Sequence, residues 1–241
     1  MKYAIIACSV LQREISYLAA TSDNVVTPIY LPQGLHNTPS LLKDTLAHEI
    51  EKISESDRKY DAILLGYGLC SNGVVGITAP SIPVVIPRTD DCVALLLGSQ
   101  KRYLDYFNSH SGIYWYSPGW IESDAMPSEE MYNELYKTYA EQYGEDNADY
   151  LMEETNGWHT RYTYATYITS SIVDNKKYID FTKNSADYLK WHFDSVDGDL
   201  SMLEKLISGD WNDEDFLVCP SDSTVEQSFD EGKIKISMRE D

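Results

Sequence analysis

Basic residues are scarce in this chain of 241 residues: 19 Lys and Arg stand against 39 Asp and Glu, a formal net charge of −20 at pH 7. Nucleic acid or an anionic membrane would need a basic face, so neither is expected as a partner. The plain meaning of the acidic surface is a solubilising shell. Cysteine is sparse as well, with four residues at 8, 70, 92 and 219. That wide spacing argues against a secreted disulfide framework and points to reduced thiols in a cytoplasmic protein. No apolar run approaches the roughly 18 residues of a membrane span. The opening MKYAIIACSVLQREI reads as a strand entering a helix rather than a signal peptide, because Gln12, Arg13 and Glu14 follow at once. Neither GxGxxG nor a P-loop occurs, so neither NAD nor ATP is indicated, and there is no CxxC or HExxH.

What the sequence does hold is a repeated plan. Lys2–Cys8, Val25–Leu31, Tyr60–Gly66 and Pro83–Pro87 are short apolar runs of strand length, with Gly112–Tyr116 as a fifth. Between them lie helical patterns: Leu11, Ile15 and Leu18 after a capping Ser9; Leu41, Leu42, Leu46 and Ile50 after Ser40; Val93, Leu96 and Leu97 after Asp91. Strands alternating with helices make an α/β fold with a doubly wound, mostly parallel sheet through about residue 120. From about Met126 the composition shifts. Residues 123–241 read as a smaller second α/β half, beside a first half at 1–122. Met131–Tyr143 is helical there, with Tyr132, Tyr136, Tyr139 and Tyr143 as a packing stripe. Tyr178–Phe181, Phe193–Ser195 and Phe216–Cys219 read as strands, Ser185–His192 and Leu200–Ser208 as helices. Lys233–Met238, in the acidic tail Asp222–Asp241, reads as an edge strand or a mobile end.

Ligands of open α/β sheets bind at the carboxyl ends of the strands, where strand order reverses. Cys8 ends the first strand, and His36, Cys70 and Cys92 lie in the loops after the second, third and fourth. Three thiols and an imidazole at one edge form a soft four-ligand set that suits zinc or iron. Each Cys taken alone is a small buried hydrophobe. The rival chemical reading is a metal-free thiol: Cys8 and Cys92 stand at helix starts that lower a thiol pKa, and His36 would serve as base. Gly66, Gly68 and Gly73 let the backbone of the Cys70 loop approach a ligand. Tyr67, Asn72, Arg88, Asp90, Asp91, Ser99 and Trp120 surround the edge. Of these, Tyr67, Arg88 and Trp120 are candidate small-molecule contacts. Arg88 suits a substrate carboxylate or phosphate, with an ion pair to a capping Asp as its plainer role. His159, beside Trp158 and Arg161, reads as a surface or packed residue.

Several stretches carry a resemblance: Ala7-Cys8-Ser9-Val10-Leu11, Leu35-His36-Asn37-Thr38-Pro39, Leu65–Cys70, Asp91–Ser99, Ser117-Pro118-Gly119-Trp120, Gly198-Asp199-Leu200 and Leu203–Trp211. Together they resemble a conserved domain of unknown function of archaea and anaerobic bacteria. Members often stand beside corrinoid-dependent methyltransferases for methylamines and betaines. The resemblance implies one-carbon, methyl-group chemistry on a small molecule. It also implies contact with a corrinoid or methyltransferase protein, either by a metal-dependent enzyme or by a non-catalytic accessory protein. Family members more commonly place a His two residues before the equivalent of Cys92; this chain has Asp90.

Overall fold

The computed structural model describes residues 1–238, apart from the side chains of Asn156 and Met238. The tail expected at Asp222–Asp241 therefore ends in three residues outside the described ones. The protein is α/β and forms two compact units, Met1–Tyr103 with Asp199–Asp241, and Leu104–Gly198.

The first unit opens with β1 (Lys2–Cys8), a 3-10 turn at Ser9–Leu11 and α1 (Gln12–Thr21). It continues through β2 (Val25–Leu31), a 3-10 turn at Leu35–Asn37, α2 (Pro39–Glu55), β3 (Ala62–Gly66) and β4 (Val84–Pro87). The short α3 (Cys92–Leu96) follows, and α4 (Gln100–Ser109) carries the chain into the second unit. β3 and β4 are buried along their whole length and β1 everywhere but its first residue. Strands covered on both faces need continuous apolar runs, as AIIAC, AILLG and VVIP provide. On α2, Leu42, Leu46, Ile50 and Ile53 form the buried stripe, each worth about 2 kcal/mol of apolar burial. Helix starts differ from expectation in two places. Ser9 begins a 3-10 turn capped by Cys8, and α2 begins at Pro39 after Thr38, so Ser40 lies inside it. Proline suits a first helical position because its missing N–H would have no partner there.

The second unit holds β5 (Ile113–Tyr116), α5 (Pro118–Ser123), α6 (Glu129–Tyr143), α7 (Glu145–Asn156), β6 (Tyr164–Thr169), α8 (Lys176–Leu189) and β7 (His192–Asp197). The chain then returns to the first unit with α9 (Ser201–Ser208), β8 (Phe216–Cys219), β9 (Ser223–Gln227) and β10 (Ile234–Met238). β9 and β10 pair antiparallel, so the alternating run Lys233–Met238 is half of a hairpin.

The first sheet has the order β2-β1-β3-β4-β8, with β8 antiparallel on its edge. Strand order reverses about β1: the chain passes outward to β2, then crosses back to β3 on the other side. Right-handed crossovers in opposite directions place α1 and α2 on opposite faces, and the carboxyl ends of β1 and β3 flank the switch point. β5 is not part of this sheet; it pairs with β6 in a separate parallel sheet of order β5-β6-β7. The division into units accordingly does not follow the expected 1–122 and 123–241. The segment Tyr178–Phe181 is helical, not a strand, and lies inside α8. There Tyr178, Thr182, Ser185, Ala186 and Leu189 recur at helical spacing on the buried face. Ser185–His192 is the end of that helix and the start of β7. Of the tyrosine stripe on α6, Tyr132 is buried and Tyr143 is exposed. Among the described residues no helix is long and apolar enough to cross a membrane.

Candidate functional site

Two loops are stitched together at the switch point. Leu69 N–H donates to the Thr89 carbonyl (2.7 Å) and Cys70 N–H to that of Asp90 (2.9 Å). Gly68 makes this closeness possible: a Cβ there would stand 2.4 Å from Thr89 Oγ1 and 2.6 Å from the Thr89 carbonyl. The loop after β3 is thus fastened to the loop after β4, which sets Cys70 beside Cys92. Asp91 caps α3, accepting from Val93 N–H (2.8 Å) and Ala94 N–H (3.4 Å), and so fixes Cys92 at its first position. Burial holds the Asp91 carboxyl above its usual range against those two bonds.

Cys8, Cys70 and Cys92 are buried, and all are free thiols. Cys92 interacts with both of the others. The cluster is electrostatically graded. Cys8 is held below the ordinary thiol range, first because it accepts a hydrogen bond from Cys92, and then through the Val10 N–H and the N–H and hydroxyl of Ser9. Cys92, donor to its neighbours and fully desolvated, is pushed well above that range. One thiolate, at Cys8, is what this arrangement favours.

Two further features mark the place. Tyr67, 2% exposed, has a hydroxyl buried without a hydrogen-bond partner among the described residues. Burial raises its pKa, and so do Cys8, Cys92 and Cys70, which places the phenol among the sulfurs. Gln33 Oε1, in the loop after β2, is also buried without a hydrogen-bond partner among the described residues. Cys70, Ser71 and Asn72 all have left-handed backbones, with φ of 45°, 59° and 68°. Each such L-residue costs about 1–2 kcal/mol, and such residues ordinarily occur singly. Strain and unsatisfied polar groups concentrate at functional sites; here they coincide with the thiols.

The other candidates fall elsewhere. His36 is exposed on the 3-10 turn after β2. Among the described residues no group of three or more His, Cys, Asp and Glu side chains is arranged as a metal centre, so as placed neither the four-ligand set with His36 nor the three thiols alone make one. Arg88 is tied to main-chain carbonyls: Nε donates to Phe216 (3.2 Å), and Nη1 to Gly232 (2.7 Å) and to Ile234. Its guanidinium secures the second half of the unit to β4. Asp90 pairs with Lys233 (2.5 Å) and accepts from Gln100 Nε2 (2.6 Å). Trp120 lies in the second unit on α5, packed against that unit's aromatic core. Sequence spacing announced the thiols and Tyr67. It gave no sign of the left-handed run, which has no glycine at 70–72, nor of the buried Gln33 oxygen.

No curated protein and no solved structure matches the chain. A family model covers residues 30–207, most of the chain, taking in Cys70 and Cys92 and beginning after Cys8. The chain belongs to that family, described as Protein of unknown function (DUF1638).

Proposed function

We propose that the first unit binds a small molecule at its switch-point edge, and that Cys8, Cys70 and Cys92 form the reactive centre as thiolates on a soft cation, zinc or iron. The observation that carries this reading is the convergence of three buried thiols with a buried, unpartnered phenol hydroxyl at the edge where doubly wound sheets bind ligands. Three buried thiolates side by side repel one another, so the free protein favours one. A cation removes that penalty, and its binding releases the remaining thiol protons. Cys8, Cys70 and Cys92 would have to draw closer than they stand to hold such a cation, which would then supply Lewis-acid chemistry to the small molecule. The Tyr67 hydroxyl is then the donor that meets an oxygen or nitrogen of that molecule.

A second reading has its own support in the hydrogen bonds converging on Cys8: a metal-free thiolate nucleophile with Cys92 as its proton donor. Titration of the reduced protein with cobalt(II) separates the two. Intense sulfur-to-cobalt charge-transfer absorption that saturates at one equivalent, and is lost in Cys70→Ser, supports the cation reading. Absence of that absorption, with Cys8 alkylated in preference to the other thiols, leaves the nucleophile.

A further inference from the structure

Two buried polar atoms at the switch-point edge have no hydrogen-bond partner among the described residues: the Tyr67 hydroxyl and Gln33 Oε1. The strand register sets them on either side of Cys8. Cys8 is level with Leu31 of β2, and Gln33 follows two residues later. Ala7 is level with Gly66 of β3, and Tyr67 comes next. β1 lies between β2 and β3, so the main chains that carry the two atoms stand about 10 Å apart, two strand spacings. Two long side chains and one small molecule span such a distance. Tyr67 is buried while Ser71 and Asn72 are exposed, so the loop that holds the phenol reaches from the core to the surface.

The two atoms call for opposite partners. A phenol keeps its proton at neutral pH and donates it, whereas an amide oxygen only accepts. Each costs free energy while buried alone, and a ligand that supplies the partner recovers it. An ammonium only donates, so it leaves the Tyr67 proton unmet. A carboxylate only accepts, so it leaves Gln33 Oε1 unmet, and it lacks a counter-charge too. The loops at this edge, 9–11, 32–38, 67–83 and 88–91, hold two basic side chains, His36 and Arg88. His36 is exposed, and Arg88 is tied to the carbonyls of Phe216, Gly232 and Ile234. An uncharged carboxamide carries an acceptor and a donor on neighbouring atoms and meets both needs at once.

We propose, resting on the reading of this edge as a small-molecule site, that its ligand is an uncharged carboxamide. Its carbonyl oxygen accepts from Tyr67 and its N–H donates to Gln33 Oε1. Four probes of one size test this: propionamide, butanone, propionate and propylammonium. They are titrated into the full chain with ¹³C-labelled Tyr rings and ¹⁵N-labelled Gln side chains, with and without one equivalent of zinc. Tyr67→Phe and Gln33→Leu identify the two signals by removing them. In either zinc state, propionamide is expected to shift both signals with a millimolar-order dissociation constant, and butanone, which lacks the donor, to bind about tenfold more weakly. Gln33→Leu should weaken propionamide several-fold and leave butanone unchanged, a difference that a merely structural Gln33 would not produce. Butanone binding as tightly as propionamide, or tighter binding of either ion, overturns the carboxamide while leaving the edge a small-molecule site. No shift from any of the four at about 100 mM overturns the carboxamide and the small-molecule site together.

Discussion

Cys92, the first residue of α3, hydrogen-bonds to Cys8, the last residue of β1, and the two thiols are driven in opposite directions: Cys8 down and Cys92 up. Neither displacement is a property of one element. The strand supplies the acceptor, the capped helix supplies the donor, and the fastening of the β3 and β4 loops adds Cys70 as the third member.

A pH prediction follows from the lowered Cys8. In the metal-free protein, iodoacetamide should modify Cys8 in preference to the other thiols, at a rate slowed by its burial but rising to a plateau at a midpoint below the ordinary thiol value of 9.0. The sign is that of an acid depressed by folding: the thiolate is favoured above the folded pKa and lost as pH falls through it. Cys92→Ala removes the largest cause and should move that midpoint up. Peptide mapping that finds Cys92 as the preferred residue would contradict the assignment.

Tyr67→Phe separates stability from binding. The hydroxyl is buried without a partner among the described residues, so its loss should leave the free protein's stability unchanged or raise it by up to about 1 kcal/mol. Loss of stability by more than about 1 kcal/mol in urea unfolding would mean that the hydroxyl is satisfied within the fold.

Ser71 is exposed with φ 59°. Ser71→Gly should therefore stabilise by about 1 kcal/mol, the relief of a left-handed L-residue offset by the freedom glycine gains when unfolded. Gly68→Ala should do the reverse, by about 2 kcal/mol or more, because its Cβ would stand 2.6 Å from the Thr89 carbonyl and 2.9 Å from the Asp91 nitrogen, backbone atoms that cannot move aside cheaply. Urea midpoints of the two variants check both.

Arg88→Lys should cost about 2 kcal/mol, since a lysine cannot reproduce the fork that donates to Phe216, Gly232 and Ile234. Cobalt or zinc content of the variant should match wild type, because those bonds secure β8 and β10 rather than the thiols. A metal-deficient Arg88→Lys protein that remains folded would place the guanidinium in the site after all.

The first sheet was legible because its central strands are buried on both faces, and AIIAC, AILLG and VVIP have no other use. The thiols were legible for the same reason, each following a recognisable strand. The second unit was not. Tyr178-Ile179-Asp180-Phe181 has strand-like residue types, yet the helical recurrence of buried Tyr178, Thr182, Ser185, Ala186 and Leu189 overrides that local preference. β6 (Tyr164–Thr169) was hidden in a run of aromatics with no turn signal to bound it. β5 was visible as a strand, but strand propensity carries no information about which sheet it joins. His36 shows the limit at the site: a loop after a strand fixes the edge, while the depth of a side chain within it depends on a turn that spacing does not reveal.

Metal content tests the central reading most directly. After anaerobic purification, elemental analysis of the wild-type chain should find one equivalent of zinc or iron, and Cys70→Ser and Cys92→Ser should each lose most of it while staying folded. A wild-type protein without stoichiometric metal, or serine variants that keep the wild-type amount, would contradict the account.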